Sequence, residues 1–234
     1  MNDKRVSWTI NDVIVALALF FLIMIIGLFA IARALAPVFP RNNALIIAFF
    51  TTYLILFLLI WYFAIVRKGA SWQSLGFKSF NVFRGIGLVV VWFFLSRIVI
   101  SIYVVLAQAV GLKPEEDALK RLPELFGQGT TGFIFAVIIV AIVAPVVEEL
   151  VFRGFVYPAF RKRWGITAGI IASGLLFALF HSNVFVFVPI AVIGFVLAYL
   201  YEITDSLGPP IIFHALNNLL AVILIFYGRI LPGG

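Results

Sequence analysis

The stretch that decides the fold is VIIVAIVAPVVEELVFRGFVYPAF, residues 137–160. Its length and apolar character suit a helix that crosses a bilayer, for which about 20 residues are needed. Two adjacent carboxylates, Glu148 and Glu149, and the guanidinium of Arg153 interrupt the apolar run. Ionisable side chains are costly in hydrocarbon unless they face protein or water. The stretch therefore predicts a transmembrane helix whose polar side faces the interior of a helix bundle.

The composition of the whole chain also indicates a membrane protein. Of its 234 residues, 64% are hydrophobic and 12% are charged, and the mean hydropathy is +1.18. We therefore expect an all-α polytopic membrane protein that forms one integrated membrane domain. The net charge of +7 comes from basic residues dispersed at segment ends, which suits membrane lipids and argues against nucleic acid as a partner. The absence of cysteine excludes disulfides, thiolate metal ligands and a cysteine nucleophile.

Seven apolar segments are candidates for membrane spans, and six to eight is the expected range. They cover about 11–34, 43–66, 84–111, 131–158, 166–183, 185–202 and 208–228. The first segment is longer than the apolar region of a cleavable signal peptide, which has ~7–15 residues, so we expect an uncleaved helix. Lysine and arginine are more frequent at the ends that share a side with the N-terminus, which predicts an N-terminus inside the cell.

Two connections between these segments are longer than turns. Residues 67–81 predict a basic loop on the inner side. Residues 113–129 predict a short helix, because Pro114 suits a first helical position and the carboxylates that follow suit the positive N-terminal end. We interpret this helix as lying on the bilayer surface, and a flap over a functional site is the alternative.

The polar residues inside the spans are the informative ones, and they concentrate in the C-terminal half. They are Glu148, Glu149, Arg153, His181, His214, Asn217 and Asn218. Both histidines of the chain are in this set. His214 and Asn218 are four residues apart and can present two hydrogen-bonding groups on one helix face, and Phe177 and His181 repeat that spacing.

Helical spacing also predicts different environments for the two adjacent glutamates. Glu149 and Arg153 lie four residues apart, which predicts an ion pair along one helix face. Glu148 is rotated by about 100° from Glu149 around the helix. One carboxylate can therefore be neutralised while the other faces a cavity.

These residue types carry hydrolytic chemistry when they share a pocket. A carboxylate beside an imidazole can take a proton from water, and a second imidazole with an amide can stabilise an oxyanion. A divalent metal such as zinc, held by Glu148, His181 and His214, is the alternative way to activate water. The usual H-E-x-x-H helix is absent, and neither histidine has a second ligand on its own helix, which weakens the metal hypothesis.

Three motifs in this region resemble those of one known family. EELVFRG (148–154), FALFH (177–181) and HALNN (214–218) are similar to the E-E-x-x-x-R, F-x-x-x-H and H-x-x-x-N motifs of the CPBP family, the CAAX prenyl endopeptidases and bacteriocin-processing intramembrane proteases. Their order and spacing agree with the family. The resemblance implies a catalytic transmembrane region at about 130–225, preceded over 1–129 by N-terminal spans and the short loop helix.

The resemblance also implies residue roles. The catalytic residues that it implies are Glu148, His181, His214 and Asn218. Among these, Glu148 activates water with His181, and the other two stabilise the oxyanion. Glu149, Arg153 and Phe177 support the site.

The function that the resemblance implies is intramembrane endopeptidase activity. The substrate is a membrane-associated protein or peptide, lipidated or not, and the location is a bacterial or archaeal plasma membrane. One alternative is a non-catalytic bacteriocin immunity protein or membrane scaffold. A transporter with a proton relay ranks lower, because no internal repeat is present. The substrate, its side of access, the metal, the oligomeric state and whether this chain is catalytically active stay open.

Several polar residues also have purely structural interpretations. The pair of Glu149 and Arg153 can serve packing alone, and Asn217 is interpreted as a packing amide. Arg97 is interpreted as a structural pair or a residue that reaches toward the interface, with binding of a substrate carboxylate as the alternative. Asp12 is interpreted as a residue at a helix start.

Overall fold

The computed structural model describes residues 6–35, 41–112, 118–181 and 184–228. Within these residues every regular element is a helix, which confirms the predicted all-α fold. The helices are α1 (Ile10–Leu35), α2 (Arg41–Ile60, continued by a π-helical stretch, Trp61–Val66), α3 (Val82–Ala109), α4 (Ala118–Phe126), α5 (Gly129–Trp164), α6 (Ile166–Leu179), α7 (Val184–Thr204) and α8 (Gly208–Tyr227).

Six of these helices are long and apolar enough to cross a membrane, namely α1, α2, α3, α5, α7 and α8. The predicted number of about seven spans agrees with these six and the shorter apolar helix α6. With 14 residues, α6 is about 21 Å long, less than the roughly 30 Å of hydrocarbon in a bilayer. The predicted fifth span of 166–183 is therefore too long, and its residues 182 and 183 lie outside the described residues.

Helix α5 is continuous but changes its winding twice. Val137–Val143 and Leu150–Val156 are π-helical, and the α-helical segment Ala144–Glu149 lies between them. A proline follows each π-helical stretch, at Pro145 and Pro158. A proline ring clashes with the carbonyl four residues earlier, and a wider turn relieves that clash. The acidic pair thus lies on a short regular segment between two wide turns.

Helices α6 and α7 approach each other backbone to backbone through two glycines. A Cβ atom built on Gly174 would lie 2.4 Å from the Phe195 ring and 2.9 Å from the Phe195 nitrogen. A Cβ atom on Gly194 would lie 2.9 Å from the Cα atom of Gly174. The two helices can approach this closely only because neither position carries a side chain. The close approach also brings the Gly194 carbonyl within reach of α5.

The loop between α2 and α3 packs into the bundle. Leu75 is fully buried, and its carbonyl lies so close to α5 that a Cβ atom on Gly154 would be 2.8 Å away. Gly76 has φ +96°, a conformation that favours glycine, and its carbonyl accepts a hydrogen bond from the Leu207 nitrogen at 2.8 Å. The predicted inner loop is therefore a structured part of one end of the bundle.

The start of α1 is fixed at the same end. The backbone N–H and the hydroxyl of Thr9 both donate to Asp12 at 2.9 Å, and the Lys68 ammonium lies 3.0 Å from the same carboxylate. This arrangement confirms the interpretation of Asp12 as a helix-start residue. The indole of Trp8 donates to the Phe155 carbonyl at 2.8 Å, which ties the N-terminal segment to α5.

The predicted short helix after α3 is present as α4. Residues 113–117, with Pro114, lie outside the described residues. Leu122, Leu125 and Phe126 of α4 pack with residues of α5 and α8, namely Ala136, Ile139 and Val222. The apolar side of α4 thus faces the bundle, and its predicted position on the bilayer surface, or as a flap, stays a prediction.

Replacing Gly174 by alanine is expected to destabilise the fold by about 1–3 kcal/mol, because the new methyl group would overlap Phe195. The midpoint of thermal unfolding in detergent, followed by tryptophan fluorescence, measures the loss. Gly87→Ala on α3 is the matched control, since nothing lies within 4 Å of the added atom, and its midpoint should not fall. Equal midpoints for the two variants would contradict the close packing of α6 on α7.

Candidate active site

The centre of the site is the buried carboxylate of Glu149. Its Oε1 atom accepts hydrogen bonds from Arg153 Nη1 at 3.1 Å and from His214 Nδ1 at 2.8 Å. The side chains of Glu149 and Arg153 are 0% exposed, and that of His214 is 3% exposed. The predicted ion pair is confirmed. The bond to His214 is additional, and because an ionised carboxylate only accepts, it assigns the proton to Nδ1.

The guanidinium of Arg153 makes two further contacts. Its Nη2 atom donates to the Gly194 carbonyl at 2.9 Å, and its carbon lies 4.6 Å from the centre of the Phe177 ring. The same ring lies 4.7 Å from the imidazole of His181 and 5.5 Å from that of His214, measured between ring centres. Phe177 therefore packs between the buried ion pair and both histidines.

Glu148 has a different environment from its neighbour. Its side chain is 18% exposed and lines a cavity of about 460 Å³. Its Oε1 atom accepts a hydrogen bond from the Tyr53 hydroxyl at 2.7 Å, and its Oε2 atom lies 3.7 Å from His214 Nε2. The two adjacent glutamates thus differ as their rotation around α5 predicts: one is enclosed by protein, and the other reaches a cavity.

The cavity has walls from three helices and the turn after α6. Its lining is Phe20, Phe21 and Met24 of α1, Thr52, Tyr53 and Leu56 of α2, Glu148, Val151 and Phe152 of α5, and Phe180 and His181 after α6. The helices that carry the three motifs therefore do not enclose this cavity alone, because α1 and α2 form one wall. Among the described residues, neither His214 nor Asn218 of α8 lines it, since Glu149 holds His214 behind Glu148.

His181 reaches this cavity from the end of the short helix α6. Glu148 lies 17 residues before Gly165 and His181 lies 16 after it, so each is separated from that turn by roughly 25 Å of helix. The His181 Nδ1 atom donates to the Phe177 carbonyl at 2.8 Å, which leaves the lone pair on Nε2. The hairpin of α5 and α6 thus brings an acidic and a basic group to the same level of one cavity.

The asparagines of α8 are directed at protein groups. The Asn218 amide donates to the Val140 carbonyl in the first π-helical stretch of α5 at 2.8 Å. Its role as an oxyanion donor stays a prediction. The Asn217 amide oxygen accepts a hydrogen bond from the Arg97 guanidinium, and its nitrogen donates to the Phe213 carbonyl. This agrees with a packing amide and a structural partner for Arg97.

The metal hypothesis finds no matching ligand set. In the described parts of the chain, no three histidine, aspartate or glutamate side chains lie close enough to hold an ion. His214 Nδ1 is hydrogen-bonded to Glu149, so that imidazole has Nε2 alone to offer. As the structure describes them, Glu148, His181 and His214 therefore do not form a ligand set that fits a metal ion.

Tyr53 is the site residue that sequence reasoning missed. It lies 95 residues before Glu148, on a helix outside the three motifs, so helical spacing could not connect the two. A weak signal was present, since Thr51, Thr52 and Tyr53 form a polar run within an apolar span. The threonine hydroxyls donate to carbonyls of their own helix at 2.8 Å, whereas the tyrosine reaches α5.

The fold defines the class as an integral membrane protein, because six of the described helices are long and apolar enough to cross a membrane, and one region of the chain is similar to a family of membrane proteases. Residues 130–220 match the sequence model of the family described as "Type II CAAX prenyl endopeptidase Rce1-like". The resemblance drawn from the three motifs is therefore confirmed over this region, which contains Glu148, Glu149, Arg153, His181 and His214.

Two bacterial proteins are similar to the chain. "UPF0177 protein YbdI" of Lactococcus lactis subsp. lactis (strain IL1403) is 28% identical over 176 residues, which cover 73% of this chain and 91% of that protein. "Putative membrane peptidase YdiL" of Bacillus subtilis (strain 168) is 27% identical over 88 residues, which cover 38% of this chain and 36% of that protein. No solved structure matches the chain.

Replacing Arg153 by methionine is expected to lower the free energy of unfolding by about 3–5 kcal/mol, because the Glu149 charge would stay buried without its guanidinium. Thermal or denaturant unfolding in detergent measures this loss. Lys78→Met provides the control: its 2.7 Å contact with Asp205 is well exposed, so its removal should change stability by about 0–1 kcal/mol. A similar small effect for both variants would mean that Glu149 does not depend on Arg153.

Proposed function

We propose that the chain is a membrane endopeptidase that hydrolyses a peptide bond with water activated by Glu148 and His181. The observation that carries the proposal is that this carboxylate and this imidazole line one cavity, although they lie on different helices. Behind them, Glu149, Arg153 and His214 are enclosed by protein and hold the helices in place. The match to a protease family supports a hydrolytic role for this arrangement.

The reaction follows from the two groups that face the cavity. A water in the cavity donates one hydrogen bond to the Glu148 carboxylate and the other to His181 Nε2, so its oxygen lone pair points toward the substrate. Glu148 takes one proton as the oxygen attacks the carbonyl carbon. The resulting tetrahedral intermediate collapses when the C–N bond breaks, and Glu148 returns the proton to the leaving amine. The products are one carboxylic acid and one amine, Glu148 is regenerated, and the acid passes its remaining proton to the amine, which leaves a carboxylate and an ammonium group.

The walls of the cavity indicate the class of substrate. Phe20, Phe21, Met24, Leu56 and Phe180 offer apolar surface to whatever occupies it. An apolar peptide segment, or a protein with a lipid attached near the scissile bond, fits such walls. The similarity to prenyl endopeptidases favours a membrane-associated protein or peptide as the partner.

Charge supports an orientation with the N-terminus inside a bacterial plasma membrane. The side chains of Arg67, Lys68 and Lys162 gather at the start of α1, where Lys162 donates to the Val6 carbonyl at 2.8 Å. Such basic ends favour the cytoplasmic side. The two similar proteins come from bacteria, which supports the plasma membrane of a bacterium.

The absence of cysteine allows a direct test of this orientation. Gln73 lies in the loop before α3 and Gln128 lies at the start of α5, at opposite ends of the bundle, and both are exposed. A membrane-impermeant maleimide should label Gln128→Cys in intact cells and Gln73→Cys only after the membrane is permeabilised. The reverse pattern would place the N-terminus outside.

Replacing Glu148 by glutamine is expected to lower the rate of cleavage by about 10²–10⁴-fold, because the amide cannot take a proton from water. Membrane peptides from cells that express either form, compared by quantitative proteomics, reveal the substrate as a precursor that only the variant accumulates. Glu124→Gln makes the same chemical change at an exposed position of α4 and should leave processing intact. Identical peptide profiles for wild type and Glu148→Gln would overturn the proposal in favour of immunity, scaffolding or transport.

A further inference from the structure

The hydroxyl of Tyr53 has a partner that the neighbouring hydroxyls do not share. Thr52 lines the same cavity, but its hydroxyl donates to the Ala48 carbonyl of its own helix. The Tyr53 hydroxyl leaves α2 and donates to Glu148 Oε1 at 2.7 Å. A bond of this length to a carboxylate belongs to the strong class in which the acceptor carries charge.

Glu148 thereby has a different neighbour at each of its carboxylate oxygens. Tyr53 of α2 binds one carboxylate oxygen, and His214 Nε2 of α8 lies 3.7 Å from the other. A glutamate has several rotatable bonds, and a cavity leaves such a side chain room to turn. The hydrogen bond from Tyr53 reduces that freedom and directs the carboxylate, whereas His214 Nε2, whose ring carries its proton on Nδ1, makes no hydrogen bond to Glu148 at 3.7 Å. The shorter of the two contacts is the one to Tyr53.

We propose that Tyr53 is a positioning residue, whose hydroxyl orients the Glu148 carboxylate toward the water that it activates. This inference rests on the proposed function. Tyr53 keeps its proton throughout, because its part is to donate a hydrogen bond to Glu148, and no covalent step passes through it. The residue lies on α2, outside residues 130–220, so the site is completed by a helix that the family match does not cover.

The orientation of the Glu148 carboxylate alone can have a large effect on the rate of hydrolysis. A base must lie within hydrogen-bond reach of the proton that it takes, and a displacement of about 1 Å can lower the rate by about 10²-fold. Without the Tyr53 hydroxyl, the ring of a phenylalanine still fills the wall, but Glu148 is free to turn. Binding of substrate should not change, because the apolar lining of the cavity is kept.

Tyr53→Phe tests the inference by separating kcat from KM. The purified full-length protein in detergent is assayed with the precursor peptide that accumulates in Glu148→Gln cells, made with a fluorophore and a quencher. We expect kcat to fall about 10- to 100-fold while KM stays within twofold of wild type. Tyr62→Phe removes a hydroxyl from an exposed position further along the same helix and should leave both constants unchanged.

A double variant shows whether Tyr53 acts through Glu148. Long incubations measure the residual activity of Glu148→Gln, and adding Tyr53→Phe should lower it no further. Full kcat in Tyr53→Phe, a rise in KM alone, or an additive loss in the double variant would each overturn the positioning role. Wild-type activity in Glu148→Gln would instead defeat the proposed function, so the two failures are distinguishable.

Discussion

The structure depends on one buried charge, the carboxylate of Glu149. Removing a carboxylate from water is expensive, and the cost is offset here by a guanidinium and an imidazole that both bind the same oxygen. These partners come from the same helix and from α8, so the requirement to neutralise one charge fixes how α8 packs on α5. Arg153 extends the constraint to α7 through the Gly194 carbonyl. That contact in turn needs the glycine pair that lets α6 and α7 touch.

The same constraint leaves the neighbouring glutamate available for chemistry. Glu149 uses the local cation, so Glu148 keeps a carboxylate that is partly exposed and faces an apolar cavity. Two chemically identical residues next to each other in the chain thus have different environments, because they are rotated by about 100° around the helix. Ala144–Glu149 keeps regular α-helical winding between two wide turns, so the rotation of about 100° per residue applies to the two glutamates.

Much of the fold and part of the site could be predicted from sequence. Apolar runs located the spans, and the spacing of Glu149 and Arg153 gave their ion pair, since both features are local. The bond of His214 to Glu149 spans 65 residues, and that of Tyr53 to Glu148 spans 95. Such contacts depend on how helices tilt and rotate against each other, which no periodicity records. The cavity walls from α1 and α2 could not be predicted for the same reason, and because most of their residues, such as Phe20, Met24 and Leu56, are typical of any membrane span.

The backbone contact of α6 with α7 has a mechanical consequence for the cavity. The side that carries Glu148 and His181 belongs to helices clamped by an ion pair and by glycines at van der Waals distance, so it is stiff. The α1 side consists of Phe20, Phe21 and Met24, whose dispersion contacts can be exchanged at little cost. The α1 side of the cavity is thus easier to deform than the side that carries Glu148 and His181. If molecules of different shape enter the cavity, the α1 side is the one expected to adapt, while Glu148 and His181 keep their positions.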